Sequence, residues 1–166
     1  MPKDASFDIV SEVDFQEVDN AYQQAAKELK QRYDLKDSGA TLEFDKGSKE
    51  FSLVAPSDFV GNQVKDVLNS KLIRRDIDLK AVQWSAPEAA SLGNVRMKGT
   101  IVSGIDETMI KKLNKDIKAQ KFKKVKNVIE GDKIRVSSPS RDDLQAVIQF
   151  VKDADYDIPL QFVNYR

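Results

Sequence analysis

The sequence predicts an α+β fold built as two copies of one small unit, and three observations predict it. Lys46 to Phe59 and Glu130 to Leu144 carry the same signals in order: a glycine turn, an alternating strand, a Pro-Ser pair and an acidic first helical turn. Gly47 to Gly131 spans 84 positions and Pro56 to Pro139 spans 83, so about half of the 166 residues separate the copies. Apolar periodicity then gives each half the order strand, helix, strand, strand, helix, strand.

Ser6 to Glu12 reads as a strand with Phe7 and Ile9 on one face and Asp8 and Val10 on the other. Asp14 opens a helix, with Glu17 placed for a capping box and Val18, Tyr22, Ala25, Ala26 and Leu29 at helical spacing. Thr41 to Asp45 and Lys49 to Ala55 form a hairpin through Lys46-Gly47-Ser48. Ser57 starts a helix that buries Val60, Val64, Val67, Leu68 and Leu72 and ends near Arg75, and Leu79 to Trp84 follows as a strand. Pro87 to Gly93 is small and turn-rich, and is the best candidate linker.

The second copy repeats the pattern. Val95 to Ser103 alternates as a strand, Asp106 caps a helix with Ile110, Leu113 and Ile117 on one side, and Lys111, Lys112, Lys115 and Lys118 occupy the other. Val125 to Ile129 and Lys133 to Ser137 make a second hairpin closed by Gly131-Asp132. Ser140 caps a helix from Arg141 to about Ala154, and Leu160 to Tyr165 closes the half as a strand. Both halves follow the ferredoxin-like plan, two helices over one face of a four-stranded antiparallel sheet, so the other face stays open. RNA-binding modules of this topology stack bases on such a face.

Composition narrows the chemistry. The sequence has no cysteine and no histidine, which removes thiol nucleophiles, imidazole acid–base catalysis and the usual zinc sites. Neither dinucleotide-binding nor P-loop glycine patterns occur, and the seven glycines are scattered turn residues. Asp142-Asp143 is an adjacent carboxylate pair, and its place in a first helical turn suits the helix dipole better than acid–base work. No catalytic residue, metal site or cofactor is expected, and an enzyme is not. The absence of cysteine, of a long apolar run and of a signal-peptide core leads to the expectation of a cytoplasmic protein without membrane contact.

Twenty-seven basic and twenty-seven acidic residues cancel, so any phosphate affinity must be local. Residues 94–135 hold 12 basic and 5 acidic side chains, net +7, whereas residues 1–60 hold 7 and 13, net −6. Lys124, Lys126, Lys133 and Arg135 alternate along the second hairpin, which predicts one basic sheet face able to grip the phosphates of a nucleotide or RNA, with Arg141 beside it. A charged, solvated face kept for solubility explains the same pattern. Arg32, Lys36, Arg74 and Arg75 form the second candidate cluster, in the first half, although cations also suit a helix C-terminus. No stretch matches the RNA-recognition-motif aromatic signature.

Several short pieces resemble one family end to end: Ser6 to Glu12, Arg32-Tyr33-Asp34-Leu35-Lys36, Ser57-Asp58-Phe59, and Lys71 to Arg75 with Ile77-Asp78. Gly131-Asp132, Arg141 to Gln145, and Leu160-Gln161-Phe162 with Asn164 and Arg166 complete the set. Together they are similar to the YajQ family of bacterial nucleotide-binding proteins. Tyr33 and Leu35 stand where that family often has phenylalanine, and Ser140 where it often has lysine. The resemblance implies a duplicated ferredoxin-like fold whose halves exchange their first strands. One unit would span 14–103, closed by strand 95–103, and the other 104–166, completed by segment 1–13. It also implies a cytosolic protein that binds nucleotide or RNA, with cyclic di-GMP sensing reported for some members. A cyclic di-GMP effector of this kind would act through a protein partner; a protein-interaction adaptor whose open sheet faces dock a protein partner is the alternative.

Overall fold

The structure is a computed structural model and describes residues 4–166. The chain divides into two compact units, one of residues 4–12 with Ser103–Arg166 (the split unit) and one of Val13–Val102 (the continuous unit). The first three residues of segment 1–13 lie outside the described residues.

In chain order the elements are β1 Ala5–Val10, α1 Phe15–Gln31, β2 Thr41–Asp45, β3 Glu50–Ala55, α2 Asp58–Arg74, β4 Val82–Trp84 and β5 Glu88–Ala89. They continue as β6 Val95–Ile101, α3 Glu107–Ala119, β7 Lys126–Glu130, β8 Lys133–Ser138, α4 Arg141–Ala154 and β9 Gln161–Val163. The split unit's sheet runs β7-β8-β1-β9 and the continuous unit's runs β2-β3-β6-β4, with β5 also on β6. Both are antiparallel ferredoxin-like sheets. In each, the strand second from one edge comes from the other half of the sequence: β1 pairs with β8 and β9, and β6 with β3 and β4.

All four helices start at the expected caps. Asp14, Ser57, Asp106 and Ser140 accept backbone N–H bonds from the first turns, for example Asp106 from Met109 at 2.7 Å. These bonds satisfy donors that the helix cannot satisfy itself. The capping box does not close: the Glu17 carboxylate accepts from Asn20 and Arg75 instead. The expected strand at Leu79 begins as a 3₁₀ turn, because the Asp78 side chain accepts from Lys80 N–H at 2.9 Å and folds the chain there. Pro87 to Gly93 is no linker. It lies inside the continuous unit, where Glu88 and Ala89 pair with Arg96 and Val95.

Strand register fixes the two faces of each sheet, since paired residues point the same way. In the split unit, Phe7, Ile9, Ile134 and Val136 lie on the helix side, fully buried with Leu113 and Val147. In the continuous unit, Phe51, Leu53 and Met97 face Val64, Leu68 and Leu72. A row of rings crosses that core: Phe44 stacks on Phe51 at 4.8 Å, and Phe51 on Trp84 at 6.2 Å. Gly99 makes room for it. A Cβ there would stand 2.9 Å from Val82 Cγ1 and 3.1 Å from the Trp84 ring, neither of which can swing away. At Gly61 in α2 the 2.9 Å neighbour is Met97 Cε, the free end of a flexible chain.

Asp8 is the more deeply buried of two carboxylates, Asp8 and Asp19, among the buried described residues. It lies on the helix-free face of the split unit, 1% exposed. Its Oδ1 accepts from Arg135 Nε at 3.1 Å, its Oδ2 accepts from Asn164 Nδ2 at 2.9 Å, and Lys133 Nζ stands 3.7 Å away. Burial by itself pushes the carboxyl up, but the hydrogen bonds from Asn164 and Arg135 and the charges of Arg135 and Lys133 outweigh it and hold Asp8 below the ordinary carboxylate range. The inserted strand is thus tied to β8 and to the residue after β9 by one carboxylate.

Two outcomes are expected. Gly99→Ala should cost about 1–3 kcal/mol of stability by overpacking, while Gly61→Ala stays within about 1 kcal/mol of the parent, as urea midpoints will show. Because the folded pKa of Asp8 lies below its unfolded value, its contribution is complete above about pH 4 and disappears as pH falls through the folded value. Asp8→Asn should therefore cost about 1–3 kcal/mol at pH 7 and flatten the loss of stability below pH 4. An unchanged acid limb would show that Asp8 is not the linkage.

Candidate functional site

The expected basic sheet face exists only in part. Register places Lys126, Lys133 and Arg135 on one face, since Lys126 pairs with Ser137 and Glu130 with Lys133. Lys124 is not on the strand: it occupies the turn before β7 with φ of 60°. The same face carries Asp8, the direct partner of Arg135 in the ladder, and Glu130, 3.7 Å from the Arg135 guanidinium. Two of the three cations are thus committed to carboxylates. The hairpin alone hides this, because the neutralising residue arrives on a strand 127 positions away. No aromatic side chain from the paired positions lies on this face. Phe44, Phe51 and Trp84 of the other sheet point to its helix side, so neither face offers a stacking surface of the RNA-recognition kind.

The second cluster is not a cluster. Arg75 meets Glu17 near the start of α1 at 3.2 Å, while Lys71 meets Glu28 near its end at 2.9 Å, so the two helices run antiparallel. Arg32 and Lys36 therefore lie roughly 20 Å from Arg75 along α1. Arg32 is paired with Asp34 at 2.8 Å, and Lys36 lies over the Tyr33 ring at 5.5 Å. Arg74 is exposed beside Arg75.

Arg141 sits elsewhere, at a hollow of the split unit. A cavity of about 300 Å³ is bounded by Ala5 and Ser6 at the start of β1, by Arg141, Leu144 and Gln145 on α4, and by Tyr165 and Arg166 after β9. Backbone conformation at Asn164 builds it. Asp8 pairs with Val163, so regular pairing would set Tyr165 opposite Ser6. Asn164 instead takes φ of 58°, a left-handed conformation that asparagine tolerates better than most residues. One residue is absorbed, and Arg166 exchanges both backbone hydrogen bonds with Ser6, at 3.2 and 3.0 Å. The Tyr165 ring is displaced to 6.0 Å from Phe7, on the helix side, with 60% of the residue still exposed.

The cavity thus brings together two arginines, an accessible aromatic ring and a side-chain amide, with no acidic side chain on its wall. Among the described residues neither arginine is ion-paired. Asp142 and Asp143 occupy the same helical turn but do not line it. Guanidinium forks suit phosphate oxygens, the ring offers a stacking face, and the amide can both donate and accept. Charge density favours residues 94–135 and passes over Gln145, Tyr165 and Arg166. The available signal was the N-terminal strand's place beside the C-terminal one, which brings both ends of the resemblance together.

The model of a family described as nucleotide-binding protein YajQ-like matches residues 5–166. A Heliobacterium modesticaldum protein named nucleotide-binding protein is 46% identical over 166 residues, covering 100% of this chain and 99% of the relative. One of the same name from Nocardia farcinica is 49% identical over 163 residues, covering 98% of this chain and 99% of its own length. A Bacillus cereus relative, also named for nucleotide binding, is 45% identical over the whole of both chains. With a match of this extent, the chain belongs to the YajQ-like family of nucleotide-binding proteins.

Proposed function

We propose that the protein binds a nucleotide without turning it over, in the cavity between the start of β1, the start of α4 and the residues after β9. Arg141 and Arg166 meet the phosphate, Tyr165 stacks on the base, and Gln145 reaches a polar edge of base or ribose. One observation carries this reading: two arginines without ion pairs among the described residues share one concavity with an exposed ring, whereas the arginine of the sheet face is spent on Asp8. Family membership supports the ligand class. The absence of histidine and cysteine, and relatives named for binding rather than for a reaction, support binding over catalysis.

The cavity volume falls at the lower end for small-molecule sites. It suits one nucleotide moiety, so a cyclic dinucleotide such as cyclic di-GMP, or the end of an RNA strand, would seat one residue there and leave the rest outside. The adaptor alternative gains little from the continuous unit's open face, where Thr41, Glu43, Arg96, Lys98 and Thr100 are exposed and polar.

Titrations of GMP, AMP, cyclic di-GMP and a short single-stranded RNA at two salt concentrations test the reading. Arg141→Ala should weaken binding by about tenfold or more and lower the salt dependence, since a charge-assisted contact contributes about 1.5–3 kcal/mol. Tyr165→Ala should weaken it comparably without changing the salt slope. Lys126→Ala, on the sheet face, should leave it within about twofold. Affinity indifferent to Arg141→Ala and Tyr165→Ala would remove the cavity as the site.

A further inference from the structure

A different part of the split unit lies outside the proposed nucleotide cavity. β7 is an edge strand, hydrogen-bonded to β8 alone among the described strands, so its outer row of backbone groups is free. An apolar side chain is exposed on each side of it: Val128 is 47% exposed on the helix-free face and Ile129 37% on the helix face. Edge strands that pair with nothing are usually blunted by bulges, prolines, charges or cover; β7 has a regular ladder over five residues with no bulge or proline, and its charges are Lys126 and Glu130 at its two ends.

Alongside this edge lies a second hollow, of about 390 Å³. Ile117, Phe122 and Val125 give it an apolar floor, and Lys118, Lys121 and Lys126 its rim. Its shape is held from below. Asn127 Nδ2 donates to Asn114 Oδ1 at 2.5 Å and to its carbonyl at 3.1 Å, and Phe122 packs edge-on to Phe150 at 6.2 Å. Lys123 and Lys124 stand in the adjoining turn, and no acidic side chain lines the hollow.

We propose that this edge takes an extended, acidic segment of a partner protein as an additional strand beside β7. The free backbone row supplies the main-chain hydrogen bonds of strand addition. Alternate side chains of the added strand would then fall into the apolar hollow and over Val128, and the lysine rim selects carboxylates over cations. A peptide fits better than RNA, because Phe122 is half-buried against Phe150 and presents no open ring for a base to stack on. A second copy meeting β7 edge to edge would set lysine rim against lysine rim.

The proposal uses neither Arg141 nor Tyr165, so it stands or falls apart from the nucleotide reading. The probe is an acetylated, amidated peptide alternating glutamate with valine, titrated into the full-length protein by fluorescence anisotropy, with amide hydrogen exchange followed in parallel. Binding should slow exchange at outward-facing β7 amides, weaken with added salt, and weaken by about tenfold or more in Lys121→Glu/Lys126→Glu. Peptides alternating lysine with valine should not bind. Binding without new protection in β7, equal binding by the charge-reversed variant, or complete displacement of the peptide by a short single-stranded RNA that leaves β7 exchange unchanged would overturn the proposal. So would β7 protection that appears on raising the protein concentration alone, which would make a second copy the occupant.

Discussion

Insertion of β1 between β8 and β9 is the constraint from which the split unit follows. Those two strands have no hydrogen-bonded contact in the sheet order except through β1, so the unit cannot close its core without the N-terminal residues. Apolar burial drives the insertion, since Phe7 and Ile9 are fully buried against Ile134 and Val136. Burial would tolerate more than one register. Asp8 discriminates: a slip by one residue would point its carboxylate into the apolar side, at the cost of an unpaired buried charge. In the observed register it meets Arg135, Lys133 and Asn164 at once.

That choice sets the electrostatics of the unit. The carboxylate that fixes β1 also consumes the cations the sequence places most prominently on the sheet, and a face bearing both signs attracts polyanions weakly. Among the described residues, cations beside hollows lined by no acidic side chain remain at Arg141 and Arg166 and along the lysine rim of β7. Asn164 couples structure and site, because the residue that satisfies Asp8 is the one whose left-handed backbone turns Tyr165 toward α4.

How much of this was legible depended on sequence distance. The four caps, the helix spans and both hairpins rest on signals a few residues apart, and they stand within a residue or two of where the pattern places them. The strand exchange was legible only through the family resemblance, since periodicity cannot say which sheet a strand joins. Charge pairing was not legible at all. Arg135 looks free until Asp8 is set beside it, and Arg75 and Arg32 look adjacent until the helices prove antiparallel. The short strand β9 and the left-handed Asn164 carry too few residues for any periodic signal, which is why the cavity escaped notice.

The duplication itself shows that the scaffold does not dictate the site. Aligning the caps Ser57 and Ser140 sets Asp58 against Arg141 and Gly61 against Leu144. The copy in the continuous unit therefore has a carboxylate where the split unit offers a guanidinium, and Gly61 lets Met97 pack where Leu144 walls a cavity. The two edges diverge in the same sense. β2 exposes Thr41, Glu43 and Asp45 where β7 exposes Lys126 and Val128. One backbone plan thus carries different side chains at the helix start and the strand edge of its two copies; on the proposed reading ligand selection rests on those side chains, with the shared sheets and caps holding them in position.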